Sequence, residues 1–146
     1  MRILFLCLGN ICRSPAAEAV MRQRAAAAGL AVTLDSAGTG DWHQGEPPYG
    51  PMQAAARARG YDLSDLRARQ LAPADFSRFD LILAMDGQNL RDARAVAPAG
   101  AAARLEPFLA DGAAVPDPYY TRDFDACLDI IEAGTEALIA RLHLLQ

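Results

Sequence analysis

The chain has 146 residues, of which 52% are hydrophobic and 22% charged, and its formal net charge is −4. This length fits one domain, so residues 1–146 are predicted to fold as a single domain without a disordered tail. All fourteen basic side chains are arginines, and the negative total argues against a nucleic-acid partner, so any phosphate site must be a local feature.

The N-terminal segment and the cysteines indicate where in the cell the chain works. Residues 1–8 form an apolar run that is too short for a signal-peptide core with a cleavage site, and much shorter than a membrane span. No membrane attachment is therefore expected. The three cysteines are an odd number and do not indicate a disulfide framework. A reducing, cytoplasmic location is predicted.

The first part of the chain alternates between strand and helix patterns. Residues 2–7 form a run that is apolar throughout after Arg2, as expected of a strand that is buried on both faces of a parallel sheet. Residues 14–28 then predict a helix that Ser14 caps and Gly29 ends. Residues 31–36 are more polar and predict a second strand, nearer the edge of the sheet.

The rest of the chain continues this alternation after a loop rich in Gly and Pro. Predicted helices cover 51–59, 87–96 and the segment from Asp123 onward, and predicted strands cover 79–85 and 102–105. Another loop, 107–122, precedes the last helix. Apolar residues recur in that helix at helical spacing and predict one buried face: Phe124, Cys127, Leu128, Ile131, Leu138, Leu142 and Leu145.

This order of elements predicts the fold. Each strand–helix–strand connection is expected to be a right-handed crossover, which produces a parallel sheet. The predicted fold is therefore a single three-layer α/β domain with a four-stranded parallel sheet and helices on both faces. Ligands bind beyond the carboxyl ends of the strands in such sheets, and Cys7 lies at the end of the first strand.

The loop from Cys7 to Ser14 joins the first strand to the first helix and reads Cys-Leu-Gly-Asn-Ile-Cys-Arg-Ser. Backbone N–H groups in such a loop, together with the helix N-terminus, form an anion site. Gly9 and Asn10 both tolerate the left-handed backbone that a tight loop needs. The interval between Cys7 and Arg13 lets the guanidinium face the thiol across a bound anion, where its planar fork can hold two phosphate oxygens.

The Cys7 thiol is predicted to be ionised in this loop. A free cysteine is only roughly a few per cent thiolate at pH 7, and the helix dipole contributes at most ~2 kcal/mol to its ionisation. Arg13, the loop N–H groups and the Ser14 hydroxyl are expected to supply the remaining stabilisation. The sequence therefore predicts a nucleophilic cysteine in a phosphate-binding loop.

Several motifs together resemble those of the low-molecular-weight protein tyrosine phosphatases. The first is the Cys7–Ser14 loop followed by Pro15. The others run through almost the whole chain: Asp35-Ser36-Ala37-Gly38, Ala68-Arg69-Gln70, Phe79-Asp80, Met85-Asp86, Asn89-Leu90-Arg91 and Asp117-Pro118-Tyr119-Tyr120. The resemblance implies a protein tyrosine phosphatase that requires no metal or organic cofactor.

In that family the reaction passes through a phosphocysteine intermediate. The resemblance implies that Cys7 is the nucleophile and that Arg13 clamps the phosphate. Asp117 is implied as the general acid, and then as the base that activates water in the second step. Ser14 is implied to stabilise the leaving thiolate. The other loop residues expected around the substrate phosphate are Leu8, Gly9, Asn10, Ile11 and Cys12, of which Asn10 locks the loop geometry.

Aromatic side chains are implied at the mouth of the pocket. The resemblance suggests that Trp42, Tyr119 and Tyr120 line the space for the phenyl ring of the substrate, and that Ile11 adds an apolar contact. The alternative is that these three are ordinary loop aromatics. If the resemblance holds, the substrate ring lies between apolar walls above the phosphate loop.

The remaining cysteines and the histidines have less direct roles. Cys12 is implied by the resemblance to pair reversibly with Cys7 and protect it from over-oxidation, with packing as the alternative. Cys127 lies on the apolar face of the last helix and is predicted to be a core residue. His43 and His143 lack the spacing of metal ligands and are predicted to lie on the surface.

Two positions concern the support of the loop. Asp86 is expected to cap a helix or brace a loop rather than to act in catalysis. Some family members carry His just before the Ala-Arg-Gln motif, where this chain has Leu66 and Arg67. Another group is therefore expected to support Asn10 by a hydrogen bond.

Three other functions share parts of this pattern. Arsenate reductases have the same fold and loop but need resolving thiols, usually as a pair in the middle of the chain, and residues 13–126 contain no cysteine. Protein-arginine phosphatases of this type carry Thr where Ile11 stands, and an apolar wall suits a phenyl ring better. A catalytically silent phosphotyrosine-binding module would not need the nucleophile, the clamp and the acid together.

The expected partners are phosphotyrosine-bearing proteins and phosphate-like oxyanions. The Lys-free, Ala- and Arg-rich composition suggests a bacterial source, where the family often acts on tyrosine kinases of polysaccharide export. A bacterial tyrosine kinase is therefore the specific partner that the resemblance implies. No nucleic acid, membrane or metal is expected to take part.

Overall fold

The computed structural model describes residues 1–145, in which the chain forms four strands and six helices. In chain order these are β1 (Arg2–Cys7), α1 (Arg13–Ala27), β2 (Thr33–Gly38), α2 (Gly50–Ala58), α3 (Asp75–Arg78), β3 (Leu81–Ala84), α4 (Gly87–Val96), β4 (Arg104–Pro107), α5 (Pro118–Thr121) and α6 (Phe124–Leu144). The strands form one sheet in the order β2-β1-β3-β4, and every pairing is parallel. The predicted four-stranded parallel sheet is therefore confirmed.

Helices cover both faces of the sheet. Alternate residues of strand β1 point to opposite faces, so each set packs against a different group of helices. Ile3 and Phe5 face a large apolar cluster that includes α1, α2 and α6, whereas Leu4 and Leu6 face a smaller one with α3 and α4. All four side chains are fully buried, since β1 lies between β2 and β3. The continuous apolar run of β1 reflects this burial on both faces, and the three-layer α/β fold is confirmed.

The register of the parallel pairings aligns the carboxyl ends of the strands. Cys7 at the end of β1 pairs with Gly38 at the end of β2, and Leu6 pairs with Ala84 at the end of β3. The loops that follow these strands therefore begin side by side at one edge of the sheet. Cys7 lies at this edge, where the sequence predicts the ligand site.

Several element boundaries differ from the predicted ones. Strands β2 and β4 each begin two residues later than their patterns indicate, because pairing with β1 and β3 decides their limits. β3 is shorter than the apolar run 79–85, and the Asp80 carboxylate ahead of it accepts a hydrogen bond from the Arg2 backbone N–H. The four-residue helices α3 and α5 escaped prediction, because so few residues cannot display a helical period.

Helix α1 begins at Arg13, and the prediction that Ser14 caps it was wrong. Cys12 holds the N-cap position without a side-chain capping bond. The Ser14 hydroxyl instead lies in the first turn, 2.9 Å from the Cys7 sulfur, so the loop uses this group to contact the thiol. Gly29 follows the end of α1 with φ at 72°, the left-handed backbone expected of a helix-ending glycine.

Helix α6 packs its apolar face against the large cluster. Most of the predicted face is buried, namely Cys127, Leu128, Ile131, Leu138 and Leu142. Phe124 is only partly buried, and Leu145 is 67% exposed because it lies just past the end of the helix. Within residues 1–145, no helix combines the length and the apolar character that crossing a membrane requires.

Candidate active site

An open cavity of about 260 Å³ lies at the carboxyl edge of the sheet, above the loop between β1 and α1. The loop, the segment after β2 and the start of α5 all contribute to it. The lining residues are Cys7, Leu8, Gly9, Ile11, Cys12, Arg13, Trp42, His43, Asp117, Tyr119 and Tyr120. The structure thus brings together nearly all of the predicted site residues. Asn10 and Ser14 are the exceptions, since both are buried behind the loop and do not line the cavity.

Asn10 holds the loop in its conformation. Its φ of 57° is left-handed, which asparagine tolerates better than most residues. Its side-chain Nδ2 donates to Ser14 Oγ at 2.7 Å and to Ser36 Oγ at 3.0 Å, and its Oδ1 accepts from the Arg69 backbone N–H at 3.0 Å. Some family members have His near Leu66, and this chain does not. Ser36 and the Arg69 backbone N–H supply the supporting hydrogen bonds to Asn10 instead.

The Cys7 sulfur receives polar contacts from its own loop. The Ser14 hydroxyl lies 2.9 Å from Sγ, and the Asn10 backbone N–H donates to Sγ at 3.3 Å. The N-terminus of α1 starts just beyond, at Arg13. Hydrogen-bond donors and the positive end of a helix both favour a negative charge on sulfur. The Cys7 sulfur therefore has polar partners, although the residue is 3% exposed and belongs to the large apolar cluster.

Arg13 is 2% exposed, and three acceptors hold its guanidinium. It donates to Asp86 Oδ2 at 2.7 Å, to the Val115 carbonyl oxygen at 2.9 Å and to Asp117 Oδ2 at 3.3 Å. Burial alone would lower the pKa of Arg13, but Cys7, Asp86 and Asp117 raise it by more. The guanidinium therefore stays charged despite its burial, and it points into the cavity that Cys7 also lines.

Asp117 and Asp86 each combine a helix cap with a contact to Arg13. Asp117 caps α5, since its Oδ1 accepts from the Tyr119 backbone N–H at 3.0 Å, while Oδ2 meets Arg13. Asp86 caps α4 through the Asn89 backbone N–H at 2.8 Å. The prediction of Asp86 as a cap is confirmed, and the structure adds that it pairs with the Arg13 guanidinium. The two caps fix the directions of both carboxylates around one guanidinium.

The aromatic residues form the rim of the cavity. Trp42, Tyr119 and Tyr120 are among the exposed large apolar side chains, and Trp42 is 67% exposed. Tyr119 packs between its neighbours, with ring centroids 5.3 Å from Tyr49 and 5.4 Å from Tyr120. Ile11 is 7% exposed and contributes to the cavity floor. An apolar slot therefore opens directly above the loop.

His43, predicted to be a surface residue, is partly exposed and also lines the cavity. Its Nδ1 lies 2.6 Å from Glu46 Oε2. The opposite edge of the ring packs against the loop, so that a Cβ on Gly9 would come within 3.0 Å of Cδ2. The only signal in the sequence is that His43 follows Trp42. The structure also adds Tyr49, whose backbone N–H donates to the Ile11 carbonyl oxygen at 2.8 Å.

All three cysteines are free and buried. Burial, followed by the proximity of Cys7, raises the pKa of the Cys12 thiol, and burial raises that of Cys127 to about 12. Both groups are therefore protonated thiols at neutral pH. Cys127 lies in the large apolar cluster as predicted, whereas the reversible Cys7–Cys12 disulfide stays a prediction. Residues 1–145 contain no group of three or more His, Cys, Asp or Glu side chains placed to hold a metal ion.

Comparison with known proteins agrees with this geometry. The family model described as low molecular weight phosphotyrosine protein phosphatase matches residues 2–144. The chain belongs to this family. It is 42% identical to the low molecular weight protein-tyrosine-phosphatase YfkJ of Bacillus subtilis, over 97% of this chain and 95% of YfkJ. A Streptomyces coelicolor protein-tyrosine-phosphatase is 47% identical over 97% and 93% of the two chains. The protein is thus an enzyme, a protein-tyrosine-phosphatase.

Solved structures place this phosphatase among the same proteins. The crystal structure of YfkJ superposes with a TM-score of 0.93 at 40% identity, covering 100% of this chain and 96% of YfkJ. Vibrio vulnificus Wzb in complex with benzylphosphonate gives 0.86 at 26% identity, over 96% and 97% of the chains. The Drosophila arginine phosphatase DARP gives 0.90 at 27% identity, over 97% and 98%.

The contact between Asp86 and Arg13 generates a prediction about this phosphatase. Asp86→Asn keeps a good cap for α4 but removes the charge that anchors the guanidinium. We expect kcat/KM for p-nitrophenyl phosphate to fall about tenfold, the effect of losing one charge-assisted hydrogen bond, while the melting temperature changes little. Asp92→Asn is the matched control, since Asp92 lies on the same helix and its carboxylate accepts from Gln88 instead of Arg13. Equal losses in the two variants would contradict the anchoring role.

Proposed function

We propose that this phosphatase hydrolyses phosphotyrosine in two steps, through a phosphocysteine at Cys7. The observation that carries the proposal is the convergence of Cys7, Arg13 and Asp117 on one cavity at the carboxyl edge of the sheet. This set supplies a nucleophile, a bidentate clamp for phosphate oxygens and a proton donor. No metal or organic cofactor is needed for this chemistry, because each step uses a side chain that lines the cavity or contacts Cys7.

In the first step the Cys7 thiolate attacks phosphorus in line. The sulfur–phosphorus bond forms as the bond from phosphorus to the tyrosine oxygen breaks, and Arg13 with the loop N–H groups stabilises the equatorial oxygens. The departing phenolate would be a strong base, with a conjugate-acid pKa of about 10. Asp117 therefore delivers a proton to it. Phosphate oxygens take over the guanidinium that Asp117 contacts at 3.3 Å, which frees Asp117 for this transfer.

In the second step water attacks the phosphocysteine. Asp117, now ionised, accepts a proton from the water, and the bond between phosphorus and sulfur breaks to release inorganic phosphate. The leaving group is the Cys7 thiolate. The Ser14 hydroxyl, 2.9 Å from Sγ, stabilises the negative charge that returns to sulfur. The free enzyme is thereby restored for another substrate.

The substrate side chain is proposed to be phosphotyrosine, because the cavity has an apolar slot. Trp42, Tyr119 and Tyr120 at the rim and Ile11 below offer contacts to a phenyl ring. Wzb, a structural relative, is described with benzylphosphonate, which joins a phosphonate to such a ring. The loop residues Leu8, Gly9 and Cys12, with the Asn10 backbone, are proposed to surround the phosphate itself.

The cellular role is proposed from the same chemistry. Proteins bearing phosphotyrosine are the expected partners, and a bacterial tyrosine kinase is the specific one. Turnover requires Cys7 as a free thiol, and all three cysteines are unpaired. We therefore expect the enzyme to work in a reducing compartment such as the cytoplasm. Arsenate reduction is less well supported, because the resolving thiol pair that it usually needs is missing between residues 13 and 126.

The roles of Cys7 and Asp117 make a direct prediction. Cys7→Ser is expected to abolish hydrolysis. Asp117→Asn is expected to lower kcat/KM, which reports the first step, by about a hundredfold with phosphotyrosine, and by much less with p-nitrophenyl phosphate, because nitrophenolate leaves without a proton. Asp123→Asn is the control, since Asp123 is a nearby cap of α6 that does not line the cavity. Equal falls in kcat/KM on the two substrates in the Asp117→Asn enzyme would contradict the acid role.

Similarity to the arginine phosphatase DARP motivates a test of the substrate class. We expect the enzyme to hydrolyse phosphotyrosine peptides at least about a hundredfold faster, in kcat/KM, than phosphoarginine peptides of the same sequence, because one misfitted side chain in a binding pocket commonly changes kcat/KM by that order. Ile11→Thr is expected to narrow this ratio by making the wall polar. A preference for phosphoarginine in the unmodified enzyme would overturn the proposed substrate.

A further inference from the structure

A buried carboxylate that the proposed mechanism does not use lies behind the phosphate loop. Glu18, in the second turn of α1, is only 3% exposed. Its Oε1 accepts a hydrogen bond from Ser36 Oγ at 2.7 Å, and its Oε2 accepts from Arg22 at 2.7 Å. Burying a charged group in an apolar interior is costly unless it is paired. Glu18 meets this condition through Arg22 and Ser36, and Ser36 leads from the carboxylate toward the phosphate loop.

Glu18 is the far end of a hydrogen-bond chain that reaches the Cys7 sulfur. From Glu18 the chain passes to Ser36 at 2.7 Å, from Ser36 to Asn10 at 3.0 Å, and from Asn10 to Ser14 at 2.7 Å. Ser14 then contacts Cys7 Sγ at 2.9 Å. Every member of the chain is buried, and only Cys7 among the five also lines the cavity, so water does not compete for the other four groups.

The direction of each bond in the chain follows from its partners. The Arg69 backbone N–H can only donate, so the atom of Asn10 that it meets must be the oxygen. The Asn10 NH₂ group therefore donates both of its protons, one to Ser14 and one to Ser36. Each serine oxygen accepts one of them and has a single proton of its own to give.

The proton of Ser36 goes to Glu18, because the carboxylate is the acceptor that remains at 2.7 Å. The proton of Ser14 has two acceptors in reach, Cys7 Sγ at 2.9 Å and the Ala37 carbonyl oxygen at 3.4 Å. The nearer of these is the sulfur. A carboxylate at one end of the chain is thus compatible with a donor aimed at sulfur at the other end.

We propose that Glu18 is a positioning residue whose carboxylate sets the direction of this chain, so that the Ser14 hydroxyl donates to the sulfur of Cys7. A missing acceptor at position 18 would leave the Ser36 proton without its partner. The Ser36 hydroxyl could then turn its proton toward Asn10, and the bond that the Asn10 amide donates to Ser36 would be lost. The inference rests on the proposed role of Cys7 and names how the protein supports it.

The surroundings of Glu18 have opposing effects on the pKa of its carboxyl group. Burial raises its pKa, and the charge of Asp35 also raises it, while the hydrogen bonds from Ser36 and Arg22 act in the opposite direction. Arg22 is 55% exposed at its side chain and can move without disturbing the interior. Ser36 is the partner that connects the carboxylate to the loop, and Arg22 supplies a charge from the solvent side.

If Glu18 acts in this way, its loss affects kcat and kcat/KM differently. A donor on sulfur matters most when the thiolate leaves, which is the second step. When that step limits turnover, kcat and KM fall together, while kcat/KM, which reports the first step, is preserved. General disorder of the loop would instead lower kcat/KM and weaken the binding of inorganic phosphate.

The test compares Glu18→Met with Glu18→Gln and Arg22→Gln in the full chain, using p-nitrophenyl phosphate. Methionine fills the space but cannot accept, so we expect kcat to fall about tenfold, the effect of one charge-assisted hydrogen bond. We expect kcat/KM and the inhibition constant of inorganic phosphate to stay within about twofold. Glutamine can still accept from Ser36 and is expected to restore most of kcat. Arg22→Gln is expected to behave as the unmodified enzyme.

A second variant acts at the middle of the chain. Ser36→Ala is expected to give the same split, and the Ser36→Ala, Glu18→Met double variant is expected to be no slower than Ser36→Ala alone, because Glu18 acts through Ser36. Should Glu18→Met fail to fold, Ser36→Ala and Glu18→Gln still decide the matter.

The outcomes separate the inference from the proposed function. Unchanged kcat in the Met and Ala variants, or equal falls in kcat/KM and phosphate affinity, would overturn the positioning role while leaving the phosphatase mechanism in place. An unmodified enzyme that does not hydrolyse the aryl phosphate at all would overturn both.

Discussion

The left-handed conformation of Asn10 is the constraint on which the rest of the site depends. A single non-glycine residue at φ near 57° costs on the order of 1 kcal/mol, and three side-chain hydrogen bonds offset this cost. With Asn10 held in this way, its backbone N–H turns toward the Cys7 sulfur. The same residue binds Ser14, so the loop conformation and the contact of the hydroxyl with sulfur are set together. Strand β1 fixes the position of Cys7, and Asn10 fixes the hydrogen-bond donors around its sulfur.

The positive charge of Arg13 is neutralised by nearby carboxylates. Two carboxylates, Asp86 and Asp117, share the one buried guanidinium. In the proposed mechanism, a phosphate group that enters the cavity competes for that guanidinium with Asp117, whose other oxygen is held by the start of α5. Asp86 contacts the other guanidinium nitrogen and would hold Arg13 in place during this exchange. The local site thus explains how a chain of net charge −4 accommodates an anionic substrate.

Sequence patterns predicted the parts of the site that are local in the chain. The apolar run of β1, the loop from Cys7 to Ser14 and the helix that follows form one continuous segment, so their geometry could be read from spacing and residue type. Contacts between distant segments could not. Arg13 and Asp86 are 73 positions apart, and nothing in either local pattern shows that they meet. His43 gave no periodic signal, because it lies in a loop. Ser14 was predicted both to cap α1 and to stabilise the thiolate, and the folded loop places its hydroxyl 2.9 Å from the Cys7 sulfur and leaves the cap position to Cys12.

A chemical test of the Cys7 intermediate addresses the account most directly. The Asp117→Asn enzyme is mixed with p-nitrophenyl phosphate, quenched in acid within the first turnover, and its peptides are fragmented in a mass spectrometer. The account predicts one phosphoryl group, attached to Cys7 and not to Cys12, with none on the Cys7→Ser enzyme. Turnover without any adduct on Cys7, or with the phosphoryl group on another side chain, would contradict it.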